Sequence, residues 1–184
     1  MESTNLTLNE PVTVLESVDP WLEDGHLTVE EAYTRYMKMY DITPDTHIPW
    51  IVRLIENPAS PLPLSGAVTL YHHDIIHCLL GRGLTNADEA FVIGFTMGSV
   101  PSLKKIEVAW FRFASRYLYP GKFRLTKMEV NIFLEAVRLA KATNGLHSLE
   151  DFNPHQYLKM SLPEVRQMLG IPVQHLTYTM FPDK

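Results

Sequence analysis

Residues 71–91 read YHHDIIHCLLGRGLTNADEAF, and this stretch decides the fold. A helical pattern runs through AVTLYHHDIIHCLLGRG, expected to open at Ser65 or Gly66 and to stop at Gly81 and Gly83. Thr85 or Asn86 then opens a second helix, ADEAFVIGFTMG. A helix, a short glycine turn and a returning helix form an antiparallel pair.

The same grammar extends outward. Thr28 with Glu31, Thr126 with Glu129 and Ser161 with Glu164 are capping boxes, each at the head of a helical pattern. Pro49 fits the first turn of HIPWIVRLIE, which Asn57-Pro58 stops. Pro101 opens SLKKIEVAWFRFASRYLY, closed by Pro120-Gly121. Gly145 closes the helix that starts near Lys127, Asn153-Pro154 starts a short helix, and Gly170 with Pro172 closes LPEVRQMLGIP. Nothing alternates apolar with polar long enough to demand a sheet. The expectation is all-α: a single-domain bundle of about six to eight helices over residues 28–184, preceded by an extended or partly disordered arm at 1–27.

A chain of 184 residues can bury a core without staples, and its one cysteine, Cys78, excludes an internal disulfide framework or a cysteine zinc cluster. Cys78 reads as a packed apolar thiol. The net charge of −5 argues against nucleic acid as a partner. That charge is unevenly spread. Residues 1–56 carry eleven acids and three bases, whereas 101–128 carry seven bases against Glu107 alone. The opening residues have neither a basic region nor an apolar run, so no signal peptide is expected. The uncharged run Ala90–Leu103 is 14 residues, short of a membrane span. A cytoplasmic protein with peripheral contact on the inner face of the membrane is expected.

His73 and His77 stand four apart, one turn apart on one helix face. Asp74 is rotated about 100° from His73 and about 60° from His77, so the three share a quadrant. His72 points off the opposite edge. An antiparallel return can bring Glu89 toward the pair. Two imidazoles and carboxylates suit Zn²⁺ first, with Fe²⁺, Mn²⁺, Co²⁺ or Mg²⁺ as alternatives. Glu89 has a competing use as the reciprocal residue of an Asn86 capping box. A Thr85–Asp88 box one residue earlier would release it. The spacing also matches the zincin His-Glu-x-x-His with Asp in the base position, which gives a zinc-dependent hydrolase as one alternative. The remaining histidines, His26, His47, His147, His155 and His175, read as surface or capping residues, and Trp21 and Trp50 as core anchors.

His73-Asp74-x-x-His77, then eleven residues, then Glu89, resembles the His-Asp-x-x-His-x11-Glu signature of the coenzyme Q biosynthesis protein four family. The glycines at 81 and 83 and the ending LPEVRQMLGIP are similar as well, and the resemblance covers roughly residues 30–172. It implies an all-helical, peripheral membrane protein of ubiquinone biosynthesis with its metal at His73, Asp74, His77 and Glu89. It further implies a prenylated quinone precursor or other isoprenoid lipid as ligand. The reaction implied is oxidative decarboxylation of the ring with hydroxylation at the same carbon, a lyase-like step. Asp74 and Glu89 are the candidate catalytic carboxylates. Asp74 is open between ligand, base and orienter of an imidazole. Also implied is an organising role in a biosynthetic complex, with complex partners or a homodimer. A non-catalytic lipid- or quinone-binding scaffold is the alternative.

A greasy substrate calls for a membrane-facing surface. On a helix over 101–118, Lys104, Lys105, Arg112 and Arg116 share one face beside Leu103, Ile106, Trp110, Phe113 and Tyr117. The bases are the candidate anionic-lipid contact, while the aromatic face reads either as interfacial or as core. Gly94 and Gly98 either line a tunnel for a lipid tail or permit close helix packing.

Overall fold

Helix α2 (Leu70–Leu80) lies at the centre of the protein and is buried on nearly every side, with Ile75, Ile76, Cys78, Leu79 and Leu80 fully inaccessible. The computed structural model describes residues 26–42, 58–61 and 63–176. Around α2 stand α1 (Val29–Met39), α3 (Asn86–Ser99), α4 (Lys105–Phe113), α5 (Lys127–Ala142) and α6 (Leu162–Leu169). The described part is all-α, with no strand. Its one β-type pairing is an isolated antiparallel bridge between Thr28 and Ser161, the caps of α1 and α6. One cluster of buried side chains runs from Val29 to Leu176. The proposed arm over 1–27, the helix at HIPWIVRLIE, His47, Trp21 and Trp50 fall almost wholly outside the described residues.

All three capping boxes form: the Thr28, Thr126 and Ser161 hydroxyls accept from the backbone N–H groups of Glu31, Glu129 and Glu164. Gly81 and Gly170 end α2 and α6 in the left-handed conformation, at φ 62° and 70°. Four boundaries differ from expectation. Thr69, not Ser65 or Gly66, caps α2, because its side chain accepts from the His72 N–H. Helix α4 starts at Lys105 rather than Pro101, because Leu103 N–H turns back to the Val100 carbonyl and Glu107 takes the Lys104 N–H at 2.9 Å. Beyond Phe113 the chain widens into a π turn, Ala114–Leu118, with Tyr119 N–H on the Ala114 carbonyl. Helix α5 ends at Ala142, three residues before Gly145.

Helices α3 and α5 approach closely through small residues. A Cβ at Gly94 would lie 2.4 Å from the Phe133 carbonyl oxygen, and one at Gly98 would lie 2.7 Å from that of Val137. The two glycines are therefore filled by the α5 backbone, and the tail-tunnel expectation for them is corrected to close packing. Helix α6 holds α2 by its end. Arg166, 3% exposed, donates from Nε to the Leu79 carbonyl at 2.8 Å and from Nη2 to that of Cys78 at 3.0 Å. Burial lowers its guanidinium to about 10, still charged at neutral pH. No described helix is long and apolar enough to cross a membrane.

Gly94→Ala is expected to destabilise the fold by about 1–3 kcal/mol, read as a lower urea midpoint with an unchanged slope. Arg166→Met strands two buried carbonyls and is expected to cost about 2 kcal/mol, a fall in Tm of roughly 4–8 °C by calorimetry.

Candidate metal site

The turn between α2 and α3 builds the site. Gly81 N–H donates to the Cys78 carbonyl and Arg82 N–H to that of His77, which completes the end of α2. Thr85 then caps α3: its Oγ1 accepts from Asp88 N–H at 3.2 Å and donates to Asp88 Oδ2 at 2.6 Å. Thr85, paired with Asp88, thus caps the helix in place of Asn86 with Glu89. The Glu89 carboxylate is released, one turn into α3, to face α2.

His73, His77 and Glu89 meet there. His73 Nε2 lies 3.0 Å from His77 Nε2 and 3.0 Å from Glu89 Oε2, and His77 Nε2 lies 3.5 Å from Glu89 Oε1. The group could hold a metal ion. Lone-pair-bearing atoms at this spacing repel one another unless a proton or a cation stands among them. Ligands bound at about 2.0–2.1 Å in a tetrahedral shell are separated by about 3.3 Å, close to the 3.0 Å between the two imidazole nitrogens and between His73 and Glu89 Oε2. The donor set suits zinc and other first-row divalent ions and does not choose among them.

The site is graded from closed to open. His77 is fully buried, His73 is 19% exposed and Glu89 31% exposed. Burial alone would raise the Glu89 carboxyl, but His77 and His73 outweigh it and hold it well below the usual carboxylate range. His77 Nδ1 is buried without a hydrogen-bond partner among the described residues, so packing fixes this ring. The packing comes from Tyr36 of α1, whose ring centre lies 5.7 Å away.

Asp74 is buried but lies outside the trio. Burial pushes its carboxyl up to about 6, against the pull of His73 and His77, and Glu89 raises it further. Its charge is felt by Tyr33 and Tyr36, both on α1. His72 stays apart, packed 5.6 Å from the Phe152 ring and held down to about 4, chiefly by burial. Cys78 is buried. His155 is exposed and stacks on Tyr71 at 4.9 Å.

Lys104, Lys105, Arg112 and Arg116 are all exposed on α4 and the π turn. The aromatic face beside them is not core: among its residues only Leu103 is buried, whereas Ile106, Trp110, Phe113 and Tyr117 are exposed.

Several contributors were not singled out in the sequence. Tyr36 walls the site, its phenol raised far above the ordinary range by burial and by Glu89 and Asp74. Arg82, 1% exposed, lies 4.0 Å over the Phe91 ring and donates to the Leu176 carbonyl. Gly83 leaves room for Tyr40, whose hydroxyl stands 2.5 Å from where a Cβ would be. Tyr36 carries a usable signal: in the α1 pattern it lies four residues after Ala32, on the buried face. No protein-family model, curated protein or solved structure matches the chain.

Zinc titrated into the metal-free chain is expected to bind at one equivalent. At a hundred times Kd it should stabilise by about 2.7 kcal/mol, raising Tm by roughly 5–10 °C. His77→Ala should weaken binding by more than the roughly 10–100-fold that loss of an outer partner costs, and should abolish the shift. Asp74→Asn should retain one equivalent.

Proposed function

We propose that the chain is a metal-dependent protein of ubiquinone biosynthesis, akin to the coenzyme Q biosynthesis protein four family. In this reading it binds a prenylated quinone precursor and replaces the ring carboxylate by a hydroxyl. The observation that carries the reading is the convergence of His73, His77 and Glu89 at the positions where that family's motif stands.

A bound divalent metal would supply positive charge to polarise a phenolate or carboxylate oxygen and, if redox-active, a route for electrons to dioxygen. The chain's own residues do the rest. His77, sealed beneath Tyr36, fixes the floor of the site. Glu89, ionised and partly open, stands where a ligand would arrive and keeps negative charge beside the imidazoles. Asp74, buried beside them on α2, orients an imidazole or takes a proton. The net change, ring–CO2H + H2O + O2 → ring–OH + CO2 + H2O2, breaks the bond from ring to carboxylate, forms a bond from the same ring carbon to hydroxyl, and passes two electrons to dioxygen as co-substrate.

The zinc-hydrolase alternative places its histidine helix against a sheet, and no strand occurs among the described residues. A scaffold role shares every feature of the site and separates from catalysis by experiment. His77→Ala and Glu89→Gln should each abolish quinone synthesis in a dependent strain, while the purified variants keep their helical circular dichroism and prenyl-lipid binding. Synthesis sustained by either folded variant would overturn catalysis and leave the scaffold.

A further inference from the structure

Helix α4 and its π turn carry an apolar ridge that no described residue covers. Ile106, Trp110, Phe113 and Tyr117 are 71%, 45%, 47% and 65% exposed. The three rings touch in sequence, with Trp110 to Phe113 at 5.8 Å and Phe113 to Tyr117 at 5.4 Å between centres. Exposed Lys104, Lys105, Arg112 and Arg116 flank them. The one acid of α4, Glu107, is turned to the N–H groups of Ser65 and Lys104. Packed aromatics with arginines beside them are the composition of a protein contact surface.

Several cations elsewhere already have partners. Arg138 pairs with Glu135 and Lys159 with Glu30, while Arg82 and Arg166 are buried on backbone carbonyls. The ion pairs formed among the described residues include neither Lys105 nor Arg112. The complementary charge is concentrated in one stretch of the sequence. Residues 1–24 hold Glu2, Glu10, Glu16, Asp19, Glu23 and Asp24 and no Lys or Arg. Among these acids stand Leu6, Leu8, Val12, Val14 and Leu15. Residues 43–57, which also lie outside the described set, have no such excess: Asp45 and Glu56 stand against Arg53.

We propose that residues 5–16, NLTLNEPVTVLE, dock on this face of the same chain. Glu10 and Glu16 pair with Lys104, Lys105 and Arg112, and the Leu and Val side chains between them cover the ridge. The reach is sufficient. The described chain begins at His26, and at about 3.3 Å per residue Glu10 can lie up to about 50 Å from it, beyond the roughly 40 Å width of a domain this size. Tethering supplies an effective concentration of about a millimolar, so a contact too weak to join separate molecules closes within one. Charge decides against a second copy of the bare face as occupant: residues 101–128 hold seven bases and one acid, so two such faces would repel. The docked stretch shields a cationic, aromatic surface, and any other occupant has to displace it. The inference is independent of the metal reading, since none of these residues belongs to the trio.

The test uses the full chain and a water-soluble carbodiimide, which condenses a carboxylate with an amine in direct contact. Peptide mass spectrometry is expected to find Glu10 or Glu16 joined to Lys104 or Lys105. The exposed Lys159–Glu30 pair supplies the internal control link. In an equal mixture of natural and isotope-labelled chain, the new links should lie within one copy. They should weaken at about 0.5 M salt, where charges are screened beyond roughly 4 Å. The double variant Arg112→Glu, Phe113→Ser changes two exposed side chains and leaves every cross-linking group of the contact in place. With unchanged circular dichroism and an unchanged control link, it should lower the yield at least about fivefold. Absence of these links while the control forms, or a yield indifferent to salt or to the double variant, would each overturn the docking. Links between labelled and unlabelled copies would give the face to the same stretch of a second chain and overturn it as well.

Discussion

A helix that ends inside a protein leaves carbonyl groups that neither the helix nor water can satisfy. Helix α2 ends in that way, and the way its last carbonyls are paired organises the rest. Arg166 reaches across from α6 to Leu79 and Cys78, and the Gly81 and Arg82 N–H groups close on Cys78 and His77. These bonds let the chain reverse within five residues without exposing the core. The reversal sets the start of α3 beside the C-terminal half of α2, and Glu89 comes opposite His77 and His73. Arg82, tucked over Phe91, ties the same turn to the far end of the described chain at Leu176.

The trio inherits its electrostatics from this placement. Two imidazole nitrogens 3.0 Å apart can share one proton, and a half-exposed carboxylate completes the triangle. Packing, rather than a dedicated acceptor, holds His77 in that arrangement. Tyr36 lies against its ring on one side of α2, while α3 brings the carboxylate from the other. The site therefore depends on three helices but takes its donor atoms from two.

How much of this was legible follows from how local each cause is. The caps and glycine stops are local chemistry, so the three capping boxes and the ends at Gly81 and Gly170 could be read directly. The i,i+4 pair and the contest between Thr85–Asp88 and Asn86–Glu89 were likewise visible, and the structure resolves that contest in favour of Thr85. The part played by Arg166 was not visible, because a buried arginine on one helix serving the end of another leaves no trace in spacing. Nor could Asp74 be placed by its helical angle alone. A quadrant shared on a wheel does not say that one edge faces α3 and the other lies near the tyrosines of α1. The α4 aromatics were ambiguous for a related reason: an amphipathic pattern predicts two faces but not which of them the core will use.

The π turn at Ala114–Leu118 fits more residues into a turn than an α-helix holds, which is what a helix does with a one-residue insertion it retains. Removing one residue from this segment would let it close to the narrower spiral while the helix before it and the chain after it keep their facing. Both ends are held where they are: Tyr119 lies 6.2 Å from the Phe111 ring, and Leu125 N–H meets the Ser115 carbonyl at 3.0 Å. These five residues are therefore the one stretch of the helix with slack in its length. Exposed Tyr117 and Leu118 can change without touching the core, and a single-codon deletion here is absorbed where the same deletion in regular α-helix would turn every later side chain by about 100°.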